Sequence, residues 1–144
     1  MLSESLNDLA IATKEQFGEL TIEVAPENIL AALRRLRDDL QFERLSTVTG
    51  VDRYPAEPRF EVVYHLQSIA TKQRVRIKAR VSGANPEIES ATSVYRSADW
   101  YERETFDLFG IRFLNHPELR RIMLPDDWEG HPLRKDYPIT GTRY

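Results

Sequence analysis

Two histidines in this chain each stand before a proline and a few residues ahead of clustered cations: His116 in HPELRR and His131 in HPLRK. Carboxylates lie close by, with Asp126, Asp127 and Asp136 in the same stretch and Glu102, Glu104 and Asp107 just before it. Imidazole and carboxylate are ordinary zinc or iron ligands and ordinary proton carriers, so a small metal-dependent hydrolase is the first chemistry to weigh. The pattern speaks against it. There is no HExxH or other helical ligand spacing, and no nucleophile or substrate-positioning loop accompanies the acids. The alternative is mechanical. A residue before proline is biased to extended backbone, and Arg120, Arg121 and Arg134 suit bidentate contacts with carboxylates or carbonyls, so the two echoes read as two anchor points on one extended arm.

A second constellation is the alternation of Arg74, Arg76, Lys78 and Arg80, which lines one face of a strand with cations. RNA-binding sheets add exposed stacking aromatics to such a stripe, whereas the neighbouring strand here offers Glu61, Val63, His65 and Gln67. The stripe reads as a wet face with cross-strand charge pairs, with no nucleic-acid partner. A third constellation, Glu102, Arg103, Glu104 and Asp107, is set among Trp100, Tyr101, Phe106 and Phe109. Acidic side chains alone would be a solvated surface, but the flanking aromatics favour a polar patch against a partner.

These residues need elements to position them. In chain order, Ser3 or Ser5 with Leu6, Leu9, Ala10, Thr13 and Phe17 at helical spacing predicts a first helix stopped at Gly18. Leu20, Ile22 and Val24 alternate as a strand. Pro26 and Glu27 open a second helix with Ile29, Leu30, Leu33, Leu36 and Leu40 on its apolar face. Three strands of a meander follow, around Thr47–Val51, Phe60–Leu66 and Val75–Val81. The stretch from Ile88 to Tyr95 fits neither period, and a last helix runs from Ser97 or Asp99 to a left-handed stop at Gly110. The fold class expected is α+β, an antiparallel sheet of about four strands covered by helices.

At 144 residues the chain is long enough for one core but short for an enzyme carrying its own cofactor domain. It has no cysteine, which removes thiolate nucleophiles, CxxC redox chemistry and the usual ligation of iron–sulfur clusters. A net charge of −3 gives no pull toward nucleic acid or anionic lipid. The N-terminal MLSESLNDLA lacks the basic and apolar runs of a signal peptide, and no segment has a membrane-spanning run of apolar residues.

After Gly110 the prolines at 117, 125, 132 and 138 forbid a long helix, yet Ile111, Phe113, Leu114, Leu119, Ile122, Met123, Leu124, Trp128, Leu133, Tyr137 and Ile139 are too apolar for a disordered tail. Ordering each residue costs about 1–2 kcal/mol of backbone entropy, so these side chains must be buried against something. The expected division is an α+β domain over 1–110 and an extended arm over 111–144 that packs mainly on a second protein.

The run ERETFDLFGIRF, followed by HPELRRIM and GHPLRKDYP, closely resembles the signature of the 30 kDa (C) subunit of proton-pumping NADH:quinone oxidoreductase, respiratory complex I. The resemblance is dense from about Ser97 to Pro138. It implies a component of the peripheral arm with no cofactor of its own, FMN and iron–sulfur clusters being carried by partner subunits. It implies docking on the quinone-site (D) subunit beside cluster-bearing subunits, on the cytoplasmic side of the cell membrane, with membrane association only through the complex. The positions it marks for subunit contact are Glu102, Arg103, Glu104, Asp107, His116, Pro117, Arg120, Arg121, His131, Pro132, Arg134, Lys135 and Asp136, to which the aromatic residues Trp100 and Trp128 add themselves; Gly110, Asn115 and Gly130 are structural. Asn115 departs from the glycine many members have there, and asparagine is the next most tolerant residue of a left-handed backbone. Similar subunits occur in ferredoxin-linked and F420-linked oxidoreductases and in membrane-bound hydrogenases, so the resemblance leaves the electron donor open.

Overall fold

The computed structural model describes residues 6, 8–16, 18–125, 127, 128 and 130–136. Its strands are β1 (Ala10–Gln16), β2 (Glu19–Val24), β3 (Arg44–Asp52), β4 (Phe60–Gln67), β5 (Arg74–Val81), β6 (Glu87–Glu89) and β7 (Arg112–Leu114), and its helices are α1 (Ile29–Asp38) and α2 (Ala98–Phe109). The α+β class is as expected. Five strands form one sheet in the order β1-β2-β5-β4-β3, while β6 and β7 form a small parallel pair.

The stretch read as a first helix is instead the edge strand β1, paired antiparallel with β2 from Gln16↔Glu19 outward. Among the described residues of the supposed apolar stripe, Leu6, Leu9 and Ala10 meet the core, the first two from a turn in which the Leu9 amide donates to the Leu6 carbonyl; Ser3, Ser5 and Phe17 lie outside the described residues. Gly18, taken as a helix stop, has φ +78° and makes the hairpin turn, since the left-handed backbone serves both ends equally. With β1 added, the chain enters the sheet at one edge, and β2 pairs parallel with β5 across the α1 crossover. The sheet is therefore mixed rather than wholly antiparallel.

The inner face of the sheet carries Ile22, Val24, Phe60, Val62, Tyr64, Leu66, Val75, Ile77, Ala79 and Val81, all buried. Helix α1 follows its pattern, with Ile29, Ala32, Leu33 and Leu36 buried, preceded by a single 3-10 turn at Pro26–Asn28. On the outer face, where Glu61 and Val63 are buried, two cations of the stripe pair across strands as their alternation suggested, Arg76 with Glu19 at 2.9 Å and Lys78 with Glu61 at 3.8 Å, and Arg53, just past β3, also holds Glu61 at 2.9 Å. The stretch after Pro86 that fitted neither period forms β6 and a 3-10 turn at Ala91–Ser93.

The free edge of β3 is covered by α2. Ser97 Oγ donates to the Leu45 carbonyl, and Thr105, whose hydroxyl donates to the Tyr101 carbonyl of its own helix, packs its Oγ1 3.4 Å from the Val48 carbonyl, so the helix occupies an edge that would otherwise invite another strand. Ser97 is spent on this contact, not on capping its own helix. Phe109 lies edge-on to Phe60 and so close to Gly50 that a Cβ there would meet its ring at 2.9 Å. Past the left-handed Gly110, Ile111 and Phe113 continue into the core, and β7 docks on β6.

Candidate functional site

The helix α2 is covered on two opposite sides, and that sets the geometry of everything singled out in the sequence. Ala98, Glu102, Thr105 and Phe109 follow one helical face and are buried. Asp107 lies on the opposite side of the helix and is buried too, because the chain after Asn115 folds back over it. The carboxylates expected to face a partner are thus divided: Glu102 and Asp107 are both inside, fully shielded from solvent, while Arg103 and Glu104 remain half-buried at the surface. Their inward placement follows from hydrogen bonding, since each carboxylate finds backbone donors within the chain and a buried carboxylate without them is prohibitive.

Asp107 is the hub of the arm. Its Oδ2 accepts from the backbone amides of Ile122, Met123 and Leu124 at 3.1, 2.7 and 2.9 Å, and its Oδ1 from Arg121 at 2.6 Å. Burial alone would raise its pKa, but these four donors prevail and hold it below the ordinary carboxylate value. Arg121 reaches on to the Gly130 carbonyl at 2.8 Å, so one guanidinium ties the helix to two separate points of the arm. The second echo closes on the helix end. His131 Nδ1 lies 2.9 Å from the Asp107 carbonyl, the Leu133 amide donates to the Leu108 carbonyl at 3.0 Å, and Arg134 Nε donates to the Phe109 carbonyl at 2.6 Å. These satisfy the orphan carbonyls that every helix C-terminus leaves. Gly110 makes the approach possible, for a Cβ there would sit 2.6 Å from Arg134 and 2.7 Å from His131.

The far end of the described arm is fastened to the sheet. Asp52, buried, accepts from Arg59 at 2.8 Å through both oxygens, from the Tyr54 amide at 2.9 Å and from the Lys135 amide at 2.7 Å. The Arg59 guanidinium first, with these amides, drives its pKa far below the usual range. Arg59 also holds Asp136 at 2.7 Å. Arg59 and Asp52, neither singled out in the sequence, are the sheet's contribution to the arm, and only the contact itself could reveal them, 77 and 83 residues away in the chain. Asp52→Ala is expected to leave Arg59 buried without its main partner, costing about 3–5 kcal/mol, with a corresponding fall in the urea midpoint as the readout.

The first echo sits at the other end of α2. His116 is buried, with Nε2 3.1 Å from Asp99 Oδ1 and 3.2 Å from the Asp99 carbonyl, and its Nδ1 accepts from the Glu118 amide at 2.9 Å. Asn115 takes φ +62° and bonds Glu89, so asparagine does hold the turn that glycine would. Arg120 stays at the surface beside Glu118, Pro117 is exposed, and Pro132 and Trp128 are half-buried. Gly130 takes φ +84°. His116 and His131 therefore belong to opposite ends of one helix, about 12 Å apart along its axis at 1.5 Å per residue, and do not share a ligand. Asp126, like the arm beyond residue 136, lies outside the described residues. Surface hollows form on the outer face of the sheet, beside Pro26 and Arg80, and near Arg37 and Tyr101, but Glu102, Asp107, His116 and His131 line none of these. No helix among the described residues is long and apolar enough to cross a membrane.

What the fold and site define is an α+β protein whose C-terminal segment is strapped along its own last helix by buried carboxylates. Residues 22–143 match the family described as the 30 Kd subunit of respiratory-chain NADH dehydrogenase, and the chain belongs to that family of enzyme-complex subunits. It is 52% identical over 140 residues to the NADH-quinone oxidoreductase C subunit of Citrifermentans bemidjiense, covering 97% of this chain and 87% of that one. To the protein of the same name from Roseiflexus castenholzii it is 49% identical, over 96% of this chain and 80% of that one. Among solved structures it resembles a trypsin-resistant fragment of Nqo5 with a TM-score of 0.73 and 27% identity, over 82% of this chain and 96% of the fragment. It also resembles a chain of an archaeal respiratory membrane complex, the membrane-bound sulfane sulfur reductase, with a TM-score of 0.81 and 26% identity, over 96% of this chain and 84% of that one.

Proposed function

We propose that the chain is a non-redox scaffold in the peripheral arm of a proton-translocating NADH:quinone oxidoreductase. It docks on the quinone-site subunit and keeps the cluster-bearing subunits in register, so that electrons reach quinone at the cytoplasmic side of the cell membrane. FMN and the iron–sulfur clusters belong to its partners, in keeping with a chain that has no cysteine. The scaffold domain runs on through β7, since Ile111 and Phe113 are core residues, and the segment after Leu114 is the docking arm.

The observation that carries this reading is the polarity of the strapped arm. Arg121, His131 and Arg134 turn inward to the helix, while selected apolar side chains are left outside: Trp100 is 51% exposed on the first turn of α2, and Met123 and Leu133, whose amides bond to the last turn of α2, are 56% and 51% exposed. Within the chain Trp100 meets Arg103, whose guanidinium lies 5.5 Å over its ring, but most of its apolar surface stays open, and an interface uses such residues as its anchors. Replacing Trp100 or Met123 with serine is expected to weaken co-purification with the quinone-site subunit by tenfold or more, the scale of an anchor residue, without lowering the melting temperature of the chain alone. The equally exposed Ile11 and Ile69 lie on β1 and on the turn before β5, and serine there should change neither. Equal loss at all four positions would remove the interface from the arm.

A second reading is favoured by the resemblance to the sulfane sulfur reductase chain: the equivalent component of a related ferredoxin-linked or F420-linked oxidoreductase or membrane-bound hydrogenase. The relatives of about 50% identity, named as C subunits of NADH-quinone oxidoreductase, support the first. Assaying the purified membrane complex for oxidation of NADH against reduced ferredoxin and reduced F420 separates the two.

A further inference from the structure

The mooring of the arm does not use Glu102, yet Glu102 is the most enclosed acid of the helix, and its surroundings form a path. Ser90 Oγ lies 2.6 Å from Glu102 Oε1, and Thr92 Oγ1 lies 2.8 Å from Ser90 Oγ, either hydroxyl of that pair being able to donate. Thr92 is half-exposed, so two hydroxyls lead from a fully buried carboxyl group to a residue at the surface. The other carboxylate oxygen accepts from the Ala91 amide at 2.7 Å. On the inner side stands Tyr64, fully buried, with a hydroxyl that has no hydrogen-bond partner among the described residues. On the arm side stands His116, its Nε2 3.9 Å from Glu102 Oε1.

We propose that Glu102 is a reversible proton-binding site, supplied from solvent through the Thr92 and Ser90 hydroxyls, and that proton binding there is coupled to seating of the His116 turn of the arm. Proton uptake balances along the path. A hydronium ion gives its proton to Thr92 Oγ1, the Thr92 proton passes to Ser90 Oγ, and the Ser90 proton passes to Glu102 Oε1. Afterwards the carboxyl O–H donates to Ser90, Ser90 to Thr92, and Thr92 to water. No heavy atom need move, and Ser90 keeps its bond from the Thr92 amide.

The coupling comes from what encloses the carboxyl group. His116 offers Glu102 no hydrogen bond, because its Nδ1 accepts the Glu118 amide at 2.9 Å and its Nε2 is turned to Asp99 at 3.1 Å, leaving 3.9 Å to Glu102 Oε1. The charged groups near the site are few among the described residues. Asp99, on the same helix, opposes ionisation and is itself engaged by Arg103 at 3.0 Å; the Tyr64 phenol is neutral; Glu118 is turned to Arg120. Burial, outweighing the bonds from Ala91 and Ser90, lifts the Glu102 pKa to about 7. Unseating the His116 turn opens this pocket to water and returns the carboxyl group toward its ordinary value. The seated state therefore binds the proton more tightly. Seating is favoured at low pH and is weakened as pH rises from the ordinary carboxylate range to about 7, above which it levels off.

The Glu118 amide reports seating directly, since it donates to His116. In the full-length chain, carboxyl carbon-13 resonances should include one, absent from E102Q, that titrates near neutrality. Over the same range hydrogen exchange at Glu118, corrected for its intrinsic pH dependence, should lose protection by on the order of tenfold between about pH 5.5 and 7.5. In E102Q that protection should be flat, because glutamine can accept from Ala91 and donate to Ser90 at every pH. Reciprocity adds a second variant: H116A should lower the Glu102 midpoint. The proposal fails if Glu102 titrates in the ordinary carboxylate range, if Glu118 is unprotected at every pH, if its pH dependence is the same in E102Q, or if H116A leaves the midpoint unmoved.

Discussion

Asp107→Ala is expected to destabilise the chain by about 3–5 kcal/mol, the cost of stripping a buried ion pair of one partner. Three features place it at the upper end. The Arg121 guanidinium, largely buried, would lose the carboxylate that it meets at 2.6 Å, and the amides of Ile122, Met123 and Leu124 would lose the single oxygen that gathers them. A donor left unsatisfied costs about 1–3 kcal/mol each, though water readmitted along the arm offsets part of it. Asp107→Asn is the sharper variant. Its volume is unchanged, but one end of the amide presents N–H groups where donors already converge, so it should be only slightly better than alanine. The pH dependence has a definite sign. The folded-state pKa of Asp107 lies below the unfolded value of about 3.8, so its stabilisation is complete above that value and is lost as pH falls through the folded pKa. Urea denaturation at pH 7 and in acid, for wild type and D107N, should converge at the acid end. In the assembled complex the same variants should lower yield before they alter turnover per complex, since the carboxylate is buried within its own chain.

The sequence made the elements around this hub legible and left the hub itself hidden. The helix from Ala98 to Phe109 could be located from its acidic first turn and its glycine stop, and the repeated His-Pro motifs, read as two anchor points of an arm, lie one at each end of that helix. What they anchor to is a contact 14 to 24 residues away, and no spacing rule gives a three-amide cradle for one oxygen. Glu102 and Asp107 looked like surface charges because charge is normally outside; only the backbone donors of the 3-10 turn and of the arm make burial tolerable. The arm was expected to lean mostly on a second protein. Its described part leans first on α2, with Arg121, His131 and Arg134 turned in and Met123 and Leu133 left out, a pattern invisible in a segment without periodicity. The first strand failed for another reason: Leu6, Leu9, Thr13 and Phe17 have helical spacing by coincidence, and an edge strand exposed over most of its length carries no burial alternation to contradict them.

Gly110→Ala carries the other large effect, and the chain contains its own control. Gly18 and Gly110 share φ +78°, so alanine at either bears the same left-handed penalty of about 1–2 kcal/mol. Around Gly18 an added Cβ meets nothing within 4 Å, whereas at Gly110 it would sit at 2.6–2.8 Å from Arg134 and His131. Those two side chains are the caps on the last turn of α2, each within hydrogen-bond reach of one of its carbonyls, at Phe109 and at Asp107. They cannot retreat from the methyl group without releasing those carbonyls, and Arg134 is further pinned over the Phe60 ring at 5.1 Å. The excess of G110A over G18A is therefore the cost of dislodging the second anchor, about 1–3 kcal/mol as for other overpacked sites. Paired urea titrations measure that excess with the backbone term cancelled. If the two variants lose equal stability, the His131 and Arg134 caps contribute nothing in the free chain; a larger loss at Gly110, accompanied by faster exchange of the Leu133 amide, shows that the chain fixes this anchor before any partner arrives.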